Sequence, residues 1–257
     1  MPILVAAILA LWSSLATGYE AALPRYALLI GNSDYQTYPL KNPRNDAKDM
    51  AEKLESIGYE VTVATDLSVA NFRDTVSAFY RTIEGEGAVS LFYYAGHAVQ
   101  LDNVNYLLPI DGGFDSRQNI EEQGYSMNSL LRVLKRSDSE QNIIILDACR
   151  NNPFRKESSS LPDGLAPVEA PAGTLVAYAT EPGSTAADGK GRNGIYTGAL
   201  LDHIERAETA EALFRKVRKD VMKATRGRQT PWEHSSLIET FYFAPPKTKT
   251  IPDIVGF

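Results

Sequence analysis

Residues 142–150 read Asn-Ile-Ile-Ile-Leu-Asp-Ala-Cys-Arg. Asn142 to Leu146 is the most apolar β-branched run in the chain. Three consecutive isoleucines with no polar alternation suit a strand covered on both faces, which points to the centre of a parallel sheet. The run ends on Asp147-Ala148-Cys149, so the chain's single cysteine lies just past the end of that strand. In open α/β sheets, ligands are bound beyond the carboxyl ends of the strands.

Working outward, strand and helix patterns alternate. Tyr26 to Ile30 reads as a buried strand, Asn45 to Ile57 as a helix closed by Gly58, and Tyr59 to Ala64 as a strand. Val69 to Ile83 is an amphipathic helix, and Ala88 to Ala95 a second fully buried strand. Gln100 to Ile110 reads as a hairpin turning at Asp102-Asn103, and Met127 to Leu134 as a helix. Beyond the cysteine, Arg150 to Ala172 holds four prolines and a serine triplet and reads as a long loop. Thr174 to Thr180 is a strand, followed by a Gly-rich loop over 181–193 and helices at Tyr196 to Ile204 and Ala210 to Ala224. Leu237 to Phe243 is expected as the last strand, Trp232 as a core residue, and 244–257 as a loose tail. The fold class expected is α/β: a mostly parallel sheet flanked by helices.

Composition narrows the function. The chain has 257 residues, a formal net charge of −6, 44% hydrophobic and 23% charged residues. That acidity disfavours nucleic acid as a partner, because phosphate binding needs a basic surface. A lone cysteine forms neither an internal disulfide nor a multi-cysteine zinc site. Gly31-Asn32-Ser33 follows the first strand but lacks nucleotide-loop spacing. His203 and His234 stand without neighbouring ligands, so no metal is expected. Ile3 to Leu11 is an unbroken apolar run with small residues at Ala16 and Gly18, and 1–18 reads as a secretory signal peptide. No basic residue precedes the run, so an uncleaved anchor or a misassigned start remains the alternative. The expected location is secreted or periplasmic, without stable membrane insertion once the signal is removed, and cytoplasmic if the segment is misassigned.

The chemistry-bearing pair is His97 and Cys149, each just past a central strand. A thiolate is the nucleophilic form of cysteine, and a nearby imidazole generates it and later protonates a leaving amine. Taken singly, each residue has a bland reading as core cysteine or satisfied loop histidine. Together, at the ends of two central strands, they favour catalysis.

The chain resembles the caspase-like superfamily (clan CD, family C14), nearest its bacterial caspase-homologue and metacaspase branch. The resemblance runs from Arg25 to Phe243 and gives the expected peptidase domain. It rests on YALLIGNSDY (26–35), LKNPRNDAKDM (40–50), FYYAGHA (92–98), NYLLPID (105–111), ILDACRNNPF (145–154) and AYATEPGSTAADG (177–189). In caspases the histidine lies about 50 residues before a Q-A-C-[RQG]-G motif. Here 52 residues separate His97 from Cys149, and Asp147 to Asn151 keeps the central Ala-Cys-Arg. The resemblance implies a caspase-like sandwich with a six-stranded, mostly parallel sheet and a cysteine endopeptidase working through an acyl-enzyme. It also implies an oxyanion hole of backbone amides at Gly96, Ala98 and Cys149. The family usually carries glycine where this chain has Ala98, which would be uncomfortable at a positive φ.

Three acids, Asp46, Asp147 and Asp188, match or lie near specificity positions in the family. Converging carboxylates suit a guanidinium or ammonium group, so cleavage after Arg or Lys of a peptide or protein substrate is expected. Each acid also has a structural reading: Asp46 as a helix cap, Asp147 as a turn former, Asp188 as a solvated loop residue. Arg155 and Lys156 are candidate self-cleavage sites. No cofactor is expected; calcium activation, frequent in metacaspases, is left open because no compact acidic loop has a calcium pattern. The competing class is a catalytically inactive caspase-like binding or regulatory module, and a third reading is a transpeptidase or amidase. Oligomeric state is not readable from the sequence.

Overall fold

The structure, a computed structural model, describes residues 23–148, 164–184, 186, 189 and 191–246. The proposed signal segment, Cys149, Arg155, Lys156, Asp188 and most of the tail lie outside the described residues. In chain order the elements are β1 (Arg25–Gly31), α1 (Pro43–Ser56), β2 (Glu60–Thr65), α2 (Val69–Thr82), β3 (Val89–Ala95), β4 (Ala98–Leu101), β5 (Val104–Leu107) and α3 (Arg117–Gln123). They continue with β6 (Tyr125–Ser126), α4 (Met127–Ser137), β7 (Gln141–Asp147), β8 (Thr174–Tyr178), α5 (Ile195–Leu201), α6 (Ala210–Thr225) and β9 (Trp232–Ser235).

The main sheet has six strands in the order β2-β1-β3-β7-β8-β9. All pairings are parallel except β8 with β9. The isoleucine run is therefore central, between β3 and β8, as its composition requires. Alternation on the strands sorts the core into two layers. Ala27, Leu29, Leu91, Tyr93, Ile143, Ile145 and Ala177 face α1, α5 and α6. Leu28, Ile30, Phe92, Tyr94, Ile144, Leu146 and Val176 face α2 and α4. The flanking helices begin where capping chemistry is available. Ser68, Ser126 and Thr209 each accept a backbone N–H of the first turn of α2, α4 and α6, and Pro43 opens α1. Among the described residues no helix is long and apolar enough to cross a membrane.

A second sheet, β4-β5-β6, is antiparallel. Its hairpin turns at Asp102 and Asn103, both in the left-handed region (φ 49° and 62°), which is the two-residue turn geometry that matches strand twist. This sheet matters because its first strand starts one residue after His97.

Three expectations need correction. The last strand of the main sheet is β9, not Leu237 to Phe243. The apolar alternation of that segment is real, but it serves aromatic packing: Phe241 and Phe243 are buried, with ring centroids 5.0 Å apart, and Phe243 lies 5.9 Å from Phe214 on α6. Arg25 clamps the segment by donating to the carbonyls of Tyr242 and Phe243. Its β contact is a single bridge from Tyr242 to Thr209. Trp232, expected in the core, stands 49% exposed on the edge strand that replaces it. Helix α1 starts at Pro43, two residues before the expected start, so Asp46 lies inside its first turns and is not its cap.

Candidate active site

The parallel pairing of β3 with β7 sets the geometry. Ala95 is in register with Asp147 at the carboxyl ends of the two strands. His97 is two residues beyond Ala95, and Cys149 is two residues beyond Asp147 in sequence. The β3–β7 connection is carried one step further by the Gly96 N–H, which donates to Asp147 O at 3.4 Å. That long bond already gives the Gly96 amide a backbone acceptor.

His97 is buried, with 4% of its surface exposed. Its Nε2 lies 2.8 Å from Tyr38 O. A carbonyl oxygen only accepts, so Nε2 carries the hydrogen and Nδ1 is the basic nitrogen. Tyr38 presents that carbonyl from a left-handed backbone conformation (φ 60°), an uncommon state for a non-glycine residue. The Tyr35 ring packs against the imidazole at 4.5 Å between centroids. The His97 backbone is held as well: its N–H donates to Tyr35 Oη at 2.8 Å, and its carbonyl accepts from Leu108 N at 3.0 Å and Tyr94 Oη at 2.7 Å.

Ala98 opens β4 opposite Leu107. His97 and Leu108 form the hydrogen-bonded pair next to it, so antiparallel alternation turns the Ala98 N–H away from β5. Ala98 is not among the residues with positive φ. An alanine Cβ at this strand position is therefore unstrained, and the missing family glycine carries no conformational penalty here.

The acids form a second cluster. Asp46 from α1 and Asp147 from β7, 101 positions apart in sequence, both face Gly194 at the start of α5. A Cβ built on Gly194 would lie 3.1 Å from Asp147 Oδ2 and 3.3 Å from Asp46 Oδ2. Both residues are buried, at 1% and 6% exposure. Asp46 Oδ1 accepts the Gly194 N–H at 2.9 Å, so its backbone partner is on another element and not in its own helix. Asp147 Oδ2 accepts from Thr197 Oγ1 at 2.7 Å, which leaves Tyr93 Oη to donate to Thr197 at 2.6 Å. Burial, and then the negative charge of Asp46 and Asp147, hold the Tyr93 phenol well above its ordinary pKa, so it remains a donor. Around this pair, Asn45 donates to Arg192 O, and Asp49 accepts from Arg192 and Asn193. The first two turns of α1 thus bind the segment that leads into α5.

Sequence reading named His97, Asp46 and Asp147 but assigned nothing to Tyr35, Tyr38, Tyr94, Asp49, Thr197 or Gly194. Tyr35 and Tyr94 sit inside quoted motifs, yet their hydroxyls meet only in the folded chain. Among the described residues no group of three or more His, Asp or Glu side chains could hold a metal ion.

A mostly parallel α/β sheet, with a held histidine beyond one central strand and a cysteine-bearing segment beyond its neighbour, is the layout of a cysteine-peptidase fold. The caspase domain model matches residues 24–242, and the chain belongs to that family of cysteine peptidases. Among curated proteins it is similar to human mucosa-associated lymphoid tissue lymphoma translocation protein 1, 27% identical over 229 residues. The mouse homolog is 28% identical over the same length. Each match covers 87% of this chain but only 27% of the relative, so the chain spans about a quarter of those proteins' length. Among solved structures, caspase-1 from Spodoptera frugiperda superposes with a TM-score of 0.65 at 15% identity, covering 87% of this chain and 93% of the other; the fold is shared.

Proposed function

We propose that the chain is an active cysteine endopeptidase that uses Cys149 as nucleophile and His97 as base, and that it cleaves after Arg or Lys. The observation that carries the reading is the pair of parallel strands in register at Ala95 and Asp147, with His97 and Cys149 each two residues beyond. In the proposed cycle His97 Nδ1 takes the thiol proton and the Cys149 sulfur attacks the peptide carbonyl. The oxyanion is stabilised by the backbone amides of Ala98 and Cys149, and the protonated histidine then gives its proton to the leaving amine. Water enters through the same base to release the acid product and restore the thiol. Preference for a basic side chain is supported by the convergence of Asp46 and Asp147 on one small space, since two carboxylates suit a guanidinium or ammonium group. Asp188 is kept as a third acid of that pocket, and Arg155 and Lys156 as self-cleavage sites. Protein substrates are the expected partners. Export through the apolar segment Ile3 to Leu11 is proposed alongside, and N-terminal sequencing of the protein recovered from its producing cells tests it.

The activity test uses fluorogenic peptides ending in Arg, Lys or Asp with the wild type, Cys149→Ala and His97→Ala. Hydrolysis of the Arg and Lys peptides that both variants lose supports the reading. Faster cleavage of the Asp peptide overturns the specificity, and equal turnover by wild type and Cys149→Ala overturns the mechanism.

A further inference from the structure

A general base works only if its ring is held in one tautomer and one orientation, and the histidine here is held chiefly by phenols from two different elements. Tyr94 comes from β3 and is buried beneath the site. Tyr35 comes from the loop after β1 and crosses to reach the same place. Their hydroxyl oxygens are 3.1 Å apart. A Cβ on Gly96 would come within 2.6 Å of both, so the space occupied by the two hydroxyls is the space a side chain at 96 would need.

The hydrogen bonds can be assigned. Leu108 O is approached by Asn32 Nδ2 at 3.1 Å, Tyr35 Oη at 3.1 Å and Tyr94 Oη at 3.0 Å. A carbonyl has two lone pairs, and each phenol has one proton. Tyr94 has a shorter alternative in His97 O at 2.7 Å, so its proton goes there, and Asn32 and Tyr35 fill Leu108 O. With its proton on Leu108, the Tyr35 oxygen is an acceptor toward His97, and it receives the His97 N–H at 2.8 Å. Tyr35 thereby links the residue that bears the imidazole to β5's carbonyl end, while its ring lies against the imidazole itself. Burial holds the Tyr94 phenol in its protonated form well above neutral pH.

We propose that Tyr35 is a positioning residue for His97: its hydroxyl fixes the His97 backbone and its ring fixes the imidazole, so that Nε2 stays on Tyr38 O and Nδ1 stays the basic nitrogen, with Tyr94 closing the network from below. The inference rests on the proposed role of His97 as base. It goes beyond the His–Cys pair by making a side chain 62 positions away in sequence hold the ring in the orientation in which Tyr38 O sets its tautomer.

The test separates the two levels. The chain has three histidines, so His203 and His234 serve as internal references in a histidine-labelled sample. Ring-nitrogen shifts are recorded in the Cys149→Ala background, where no thiolate can charge the imidazole. The wild-type frame should show His97 in the Nε2–H tautomer alone. Tyr35→Phe keeps the ring and removes the hydroxyl, and should give a tautomer mixture at His97 with the other two histidines unmoved. Tyr94→Phe should give a weaker version of the same change, because Leu108 N still holds His97 O; it also serves if Tyr35→Phe folds poorly. In the Cys149 enzyme, Tyr35→Phe should lower kcat about 10- to 100-fold with KM unchanged and shift the acid limb of the pH profile. An unchanged His97 tautomer in both phenylalanine variants, or a Tyr35→Phe enzyme with wild-type kcat and pH profile, overturns the proposal. If the wild type shows no Cys149-dependent cleavage, the functional reading fails, while the tautomer measurement still decides the role of Tyr35.

Discussion

Replacing Asp46 distinguishes a carboxylate that recognises substrate from one that merely supports the fold. Asp46 is 1% exposed, and Oδ1 accepts the Gly194 N–H at 2.9 Å. In Asp46→Asn an amide oxygen takes over that bond, while the charge is lost and Oδ2 becomes a donor. A hydrogen bond to a charged group contributes about 1.5–3 kcal/mol, and about 1.4 kcal/mol is a tenfold change. The kcat/KM for Arg-ending peptides should therefore fall roughly 10- to 150-fold. The melting temperature should hold or rise, because a buried charge carries a desolvation cost that the amide does not. Asp46→Ala also strands the Gly194 N–H, at a cost of about 1–3 kcal/mol. For a domain of this size that is a fall of roughly 2–12 °C. The assay is peptide kinetics beside thermal unfolding for both variants. If Asp46→Asn unfolds as early as Asp46→Ala while its preference among Arg, Lys and Asp peptides stays that of the wild type, Asp46 is a structural residue and the specificity argument is wrong.

Two further outcomes follow from individual contacts. Gly96→Ala forces a methyl group to within 2.6 Å of the Tyr35 and Tyr94 hydroxyls and should cost about 1–3 kcal/mol in denaturant unfolding while lowering kcat; wild-type values for both would contradict the packing at that point. Arg192 holds the Asp49 carboxyl below its ordinary pKa, so this pair's contribution is present above about pH 4 and is lost as the pH falls through the lowered value. With Arg192 largely exposed, the coupling in a double-mutant cycle should be small at neutral pH and should shrink as the pH falls through the lowered Asp49 pKa; a coupling that persists undiminished in acid would refute the ionic account.

The strands that carry the site were legible because each is buried on both sides. Ile143, Ile144 and Ile145 cannot alternate between core and water, so their run announces a central position. The edges were not legible for the opposite reason. The strand Trp232–Ser235 lies at the rim and carries Glu233, His234 and an exposed Trp232, so it has no apolar signature. The more apolar Leu237 to Phe243 was mistaken for it, because burying Phe241 and Phe243 against α6 produces the same period of two as a sheet. Helix α3, short and mostly polar with only Ile120 buried, gave no pattern to read. At the site, residue type and strand-end position pointed to His97, while Asp46 and Asp147 were named only through the family resemblance. The tyrosine hydroxyls around His97 and the backbone carbonyl of Tyr38 were hidden, since a contact between residues 59 to 62 positions apart leaves no local periodicity. Asp46 showed the same limit: its type suited a cap, and only the approach of Gly194 revealed its partner.

Because Cys149 is the chain's one thiol, covalent labelling tests the central claim without ambiguity of site. The measurement is the second-order rate at which peptidyl electrophiles ending in Arg or in Asp add to the intact protein, followed by mass spectrometry. The account predicts a single adduct on Cys149, formed faster by the Arg reagent, slowed by Asp46→Asn and nearly abolished by His97→Ala. Equal rates for the two reagents, or a rate indifferent to His97, would contradict it.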